Sequence, residues 1–178
     1  MKTFQACVAC VVLLGAAAAS LAQTPSATAA QAPHAPSPAA AVSDVAPDAQ
    51  AAVAVVEAFG KALGQGDLRT AGELLHSDVL ILETGGAERS REEYLGHHAI
   101  SDAAFLKGTH SQLVHRRARL HGDLAWVGTE SELHASMDGK PVTLLSTETM
   151  VLERTGAEWR IVHIHWSSRP KRSTKDTP

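Results

Sequence analysis

The chain has 178 residues, 44% of them hydrophobic, and a formal charge of −3. That length suits one domain with appended segments rather than two domains. There is no surplus of positive charge to offset phosphates, which speaks against a nucleic-acid partner. The longest apolar run falls short of the roughly 20 residues that a membrane span needs.

That run, residues 6–19, follows Lys2 and precedes Ser20-Leu21-Ala22. A basic start, a short apolar stretch and small residues at the cleavage positions predict a secretory leader over 1–22, cut after Ala22. The expected location is periplasmic or secreted. Cys7 and Cys10 both lie inside the leader, and Cys10 comes too early in the run to accept a lipid. The mature chain then has no cysteine, so no disulfide or thiolate nucleophile is available. Residues 23–48, rich in Ala and Pro with few large apolar residues, are expected to be a disordered linker.

A domain is expected over 49–170. Val53, Val56, Phe59, Ala62 and Leu63 recur at helical spacing, and Gly64 and Gly66 end that helix. Asp67 caps a short second helix carrying Leu68, Ala71, Leu74 and Leu75. Residues 79–83 read as a strand and Gly85-Gly86 as a turn. Ser90-Arg91-Glu92-Glu93 forms a capping box that opens a third helix with Tyr94, Leu95 and His98, ending by Gly108. Strands at about 110–121, 124–135, 142–154 and 159–168 follow. They are joined by turns at Gly122-Asp123, Asp138-Gly139 and Gly156-Ala157. Residues 171–178 form a basic polar tail. Helices followed by an antiparallel sheet make the fold class α+β.

Side chains alternate across a strand, so the turns set which residues share a face. Counted back from them, Arg116, Thr129, Glu148 and His165 fall in one row. The row above holds Ala118, Val127, Met150 and His163, and the row below Val114, Ser131, Ser146 and Ser167. This mixture of polar and apolar groups is that of a pocket lining. The other face carries Trp126, Val151, Val162, Ile164 and Trp166 with Arg117 and Arg119. One helical layer cannot cover it, which predicts a homodimer packed sheet to sheet.

Several segments together carry a family likeness. They are Gln65-Gly66-Asp67, Tyr94-Leu95-Gly96-His97-His98 and the run from Glu158 to Ser168. The pattern resembles the SnoaL-like branch of the nuclear-transport-factor-2-like superfamily. The strand Thr147-Glu148-Thr149 and the ending Trp159-x-x-x-His163-x-His165 are also similar to the association domain of calcium/calmodulin-dependent kinase II. The resemblance implies a cone-shaped, curved antiparallel sheet wrapped on N-terminal helices around a cavity, usually dimeric, and does not itself choose a reaction. The aspartate acid/base that it implies for SnoaL-type cyclases has no counterpart in a predicted strand here.

Three functions are open at this stage. The first is a binding domain for a small organic molecule, lined by Arg116, Thr129, Met150, His163 and Val127 together with Glu148 and His165. The second is a cofactor-free isomerase, dehydratase or hydrolase, in which Glu148 orients His165 as general acid/base and Arg116 steadies an oxyanion. The third is an assembly module without chemistry. No P-loop or glycine-rich dinucleotide turn occurs, so no cofactor is expected. A metal site is the weaker alternative, built on His163 and His165 with His97, His98 or Glu148.

Overall fold

The computed structural model describes residues 40–172. The expected leader, residues 23–39 of the expected linker and the tail beyond 172 lie outside the described residues. Part of the linker range is structured. β1 (Val42–Val45) and a 3-10 turn (Pro47–Ala49) precede α1 (Gln50–Gln65), and β1 pairs in parallel with β4 (His110–His121).

The stripe predicted on α1 is the one buried: Val53, Val56, Phe59, Ala62 and Leu63 are all at most 5% exposed. Each large side chain on such a stripe contributes about 1.5–3 kcal/mol by leaving water. The helix stops at Gly66, whose φ of 75° suits a residue without Cβ. Asp67 then caps α2 (Leu68–Leu74) by accepting from the Thr70 amide at 3.0 Å. Chain direction reverses through β2 (Leu75–Glu83) and the short β3 (Gly86–Glu88). Ser90 accepts from the Glu93 amide at 3.0 Å, as the capping box predicts, while the Glu93 carboxylate reaches back to the Arg89 amide. The expected third helix is divided in two, α3 (Arg91–Gly96) and α4 (His98–Lys107), with His97 between them.

β4 continues into β5 (Leu124–Met137), β6 (Lys140–Thr155) and β7 (Glu158–Pro170). The seven strands form one sheet in the order β1-β4-β5-β6-β7-β2-β3, with β2 parallel to β7 and β4 to β7 consecutive and antiparallel. All three turns lie where the sequence puts them. Asp138 and Gly139 both have positive φ, 52° and 73°, the conformation of the tightest hairpin. The sheet is curved and α1 packs against β5 and β7.

Two bulges correct the row assignment. In β7, His163 pairs with Val151 but Ile161 with Leu152, so Val162 is the extra residue. In β4, Leu113 pairs with Ser131 but His115 with Glu130, so Val114 is extra. An extra residue inverts the facing of everything on one side of it. From Val162 onward the alternation expected of β7 is therefore reversed: Ile164 is fully buried on the inner face and Trp166 follows it there, while His165 is exposed.

Candidate functional site

A cavity of about 530 Å3 lies between the inner face of the sheet and helices α1 and α4. Its apolar lining includes Phe59 and Leu63 of α1, Phe105 and Leu106 of α4, and Leu133, Leu144 and Trp166 of the sheet. Across this wall runs one polar row. Arg116 pairs with Thr129, Thr129 with Glu148, and Glu148 with Trp166.

Glu148 is the chemical centre of the row. Its Oε2 accepts a hydrogen bond of 2.7 Å from Trp166 Nε1. Burial pushes its pKa above the ordinary carboxyl value. The Trp166 N–H, the Arg116 charge and the nearby Thr129 hydroxyl oppose that shift without cancelling it. Arg116 reaches α1, where its guanidinium meets Glu57. Two polar atoms of the row are buried without a hydrogen-bond partner among the described residues: Arg116 Nε and Thr129 Oγ1. The hydroxyl stands close enough to favour the charged carboxylate of Glu148 but does not form a bond of ordinary geometry with it.

Beyond Trp166 the cavity carries a second pair of carboxyl groups, Glu83 at the end of β2, which pairs with Trp166, and Asp102 on α4. Burial raises the pKa of both, and for Glu83 the Asp102 charge adds to it; nearby His98 works against the rise in each case. Tyr94 donates from its hydroxyl to Asp102 Oδ2 at 3.0 Å. Burial and the same aspartate raise the Tyr94 pKa far above the phenol value, so the hydroxyl stays protonated and remains a donor.

Of the residues expected to share the pocket, the structure brings together Arg116, Thr129 and Glu148. Val127 and Met150 are buried in the core, at 0% and 1% exposure, and are not part of the lining. His163 and His165 lie on the outer face of β7 with Val151 and Thr149 as their respective partners, and His163 Nδ1 bonds to the Leu80 carbonyl at 2.8 Å. The expected Glu148–His165 pair is therefore not formed, because the bulge at Val162 puts Trp166 where His165 was expected. The same shift takes Ile164 and Trp166 out of the expected dimer face, leaving Trp126 and Val151 paired there. The groups of three or more His, Cys, Asp or Glu able to share an ion among the described residues come down to Glu88, His97 and His98; His163 and His165 take no part.

The family model for the SnoaL-like domain matches residues 52–170, nearly all of this α+β unit. The chain belongs to the SnoaL-like family. No curated protein sequence matches it. Among solved structures, the domain is similar to a ketosteroid isomerase candidate from Shewanella frigidimarina. That likeness has 32% identity and a TM-score of 0.64, and covers 70% of this chain and 99% of the other. It is similar in fold to a nuclear-transport-factor-2-like protein with a cystatin-like fold from Novosphingobium aromaticivorans, with 19% identity and a TM-score of 0.57 over 67% and 80% of the two chains. A candidate calcium/calmodulin-dependent kinase II association domain from Xanthomonas campestris gives 21% identity and a TM-score of 0.60 over 75% and 95%.

Within this SnoaL-like domain, sequence reasoning missed Trp166, Glu83 and Asp102 as cavity residues. For Trp166 a signal existed. Trp159, Ile161, Ile164 and Trp166 are all apolar, and one sheet face can bury them all only if an extra residue sits between Ile161 and Ile164. Asp102 had a weaker signal, since it stands on a helix and not on the strand where an aspartate was sought.

Proposed function

We propose that this SnoaL-like domain binds a small organic molecule with an apolar body and one oxygen-bearing end. The observation that carries the reading is the polar row Arg116–Thr129–Glu148 in the cavity wall, with two buried atoms that lack a partner among the described residues. Buried polar groups are ordinarily hydrogen-bonded, and each one left unmatched costs about 1–3 kcal/mol. A carbonyl or hydroxyl placed against the row would take a hydrogen bond from Arg116 and exchange one with Thr129. The body of the molecule would lie along Phe59, Phe105 and Trp166. The test is native mass spectrometry of the full chain before and after denaturation. An adduct that denaturation releases, and that is absent when Ser146→Trp fills the cavity, supports the reading. No adduct in the wild type, or one that Ser146→Trp leaves in place, refutes it.

A second reading, proton transfer at Glu148, has its own support in the raised pKa of that carboxyl and the likeness to the Shewanella protein. In its ionised form, a carboxylate beside a bound ketone can take a proton from the carbon next to the carbonyl, become a carboxylic acid, and return that proton elsewhere on the molecule. Deuterium incorporation from solvent into a cyclic enone, lost in Glu148→Gln, is the expected result; equal incorporation in that variant would exclude the role.

From Lys2, the apolar run and Ser20-Leu21-Ala22 we also infer export, to be read by cell fractionation and the mature N-terminus. Self-association over the outer sheet face rests on the adjacent, half-buried Trp126 and Val151. Light scattering should find a dimer that Trp126→Asp dissociates.

A further inference from the structure

Beside the cavity, the β2–β3 hairpin and the junction of α3 with α4 bring together three side chains that are common metal ligands. Glu88 on β3, His97 at the junction and His98 at the start of α4 offer donor atoms that all lie within 4.8 Å of one another. In a continuous helix, consecutive side chains diverge by about 100°. The break at His97 lets both imidazoles turn to one place, with ring centroids 4.3 Å apart.

Glu88 supplies the independent observation. The residue is 2% exposed, yet its Oε2 has no hydrogen-bond partner among the described residues. Its Oε1 is engaged by His98 Nδ1. Glu83 Oε1, also buried and without a hydrogen bond among the described residues, lies 3.4 Å from the same imidazole nitrogen. One imidazole thus serves two carboxylates, and a second imidazole stands beside it. An ion pair between Glu88 and His98 leaves both the free Glu88 oxygen and the approach of His97 unexplained; a cation explains both.

We propose that Glu88, His97 and His98 hold a divalent transition-metal ion, with zinc as the ion best suited to two imidazoles and one carboxylate. Three protein ligands of this kind leave at least one coordination position open. His97 is exposed, which provides an entry path from solvent, while Glu88 is fixed on the buried side. Glu83 bridges the site to the cavity, since it lines the cavity and approaches His98. This proposal does not depend on what the cavity binds.

The test uses the full chain, stripped with a chelator and titrated with cobalt(II) by visible absorption and with zinc by calorimetry. One equivalent of zinc is expected, together with the intense visible band of low-coordinate cobalt. His97→Ala should weaken affinity by at least about tenfold, the low end of what losing even a supporting group costs. That side chain is exposed and hydrogen-bonds to nothing among the described residues, so the variant keeps its fold. His165→Ala should bind as the wild type does. Absence of uptake would overturn the proposal, and so would uptake that His97→Ala leaves unchanged, since the ion would then sit elsewhere on the chain.

Discussion

Trp166 Nε1 donates to Glu148 Oε2 across the β6–β7 pair, so the indole N–H of this half-buried residue is aimed at the central carboxyl of the cavity wall. The indole ring is also held from behind. It stacks on Phe59 with centroids 6.3 Å apart at 17° and meets Tyr94 at 6.2 Å. Trp166→Phe keeps an aromatic ring in place while removing the donor together with part of the indole's packing. The expected cost is about 1–3 kcal/mol in urea unfolding, the penalty of a buried acceptor left unmatched. A double-mutant cycle with Glu148→Leu isolates the bond, because the indole then has no carboxylate to serve. Equal costs of Trp166→Phe in both backgrounds would show that the bond contributes nothing.

The same carboxyl gives stability a definite dependence on pH. The ordinary glutamate value is 4.5, and burial raises Glu148 above it against the opposing Trp166 N–H, Arg116 charge and Thr129 hydroxyl. Between that value and the folded one, the folded chain keeps a proton that the unfolded chain has released. Stability therefore falls as pH rises through this window, and the contribution is fully present only below 4.5. Glu83 and Asp102 act in the same direction, so the slope should not vanish in Glu148→Gln. It should become shallower, as measured by urea unfolding at closely spaced pH values. Identical slopes in the two proteins would mean that Glu148 is not desolvated in solution.

Thr129 separates the needs of the fold from those of the ligand. Its hydroxyl is buried with no partner among the described residues, while valine has nearly the same shape. Removing an unmatched hydroxyl should leave thermal stability unchanged or raise it by up to about 1 kcal/mol. If the row receives the polar end of a bound molecule, the same change weakens retention of that molecule in native mass spectrometry. A destabilised Thr129→Val with unaltered binding would reverse both expectations.

Local signals in the sequence were strong wherever a single segment decides its own structure. The stripe on α1, the Asp67 and Ser90 caps and the Asp138-Gly139 hairpin are set by neighbours within a few residues, and each is found where the pattern puts it. Facing along β7 is different in kind. It depends on pairing with β6 and β2 and on which side chains the helices will accept, so counting from a turn cannot detect an inserted residue. Arg116, Thr129 and Glu148 were legible because the pairing of β4, β5 and β6 is regular through all three. Glu83 and Asp102 were not, because what unites them is a shared cavity wall, near enough for the Asp102 charge to act on Glu83, a relationship with no spacing rule in the chain. The third helix reads as continuous for a related reason. Gly96 stands at the last position of α3, immediately before the break at His97, but a lone glycine inside a helical pattern is tolerated and does not by itself end a helix; the break follows from the packing of two short helices on different neighbours.

The bulge at Val162 can be tested by two adjacent residues whose roles it exchanges. With the extra residue in place, Ile164 is fully buried and His165 projects from the outer face. Ile164→Ala should then cost about 2–5 kcal/mol, the usual range for emptying a core site. His165→Ala should stay within about 0.5 kcal/mol, as for a surface change away from special contacts, and should leave the cavity adduct intact. An unbulged strand demands the reverse, with His165 beside Glu148 in the cavity and Ile164 on the open face. Chemical denaturation of the two variants decides between the registers.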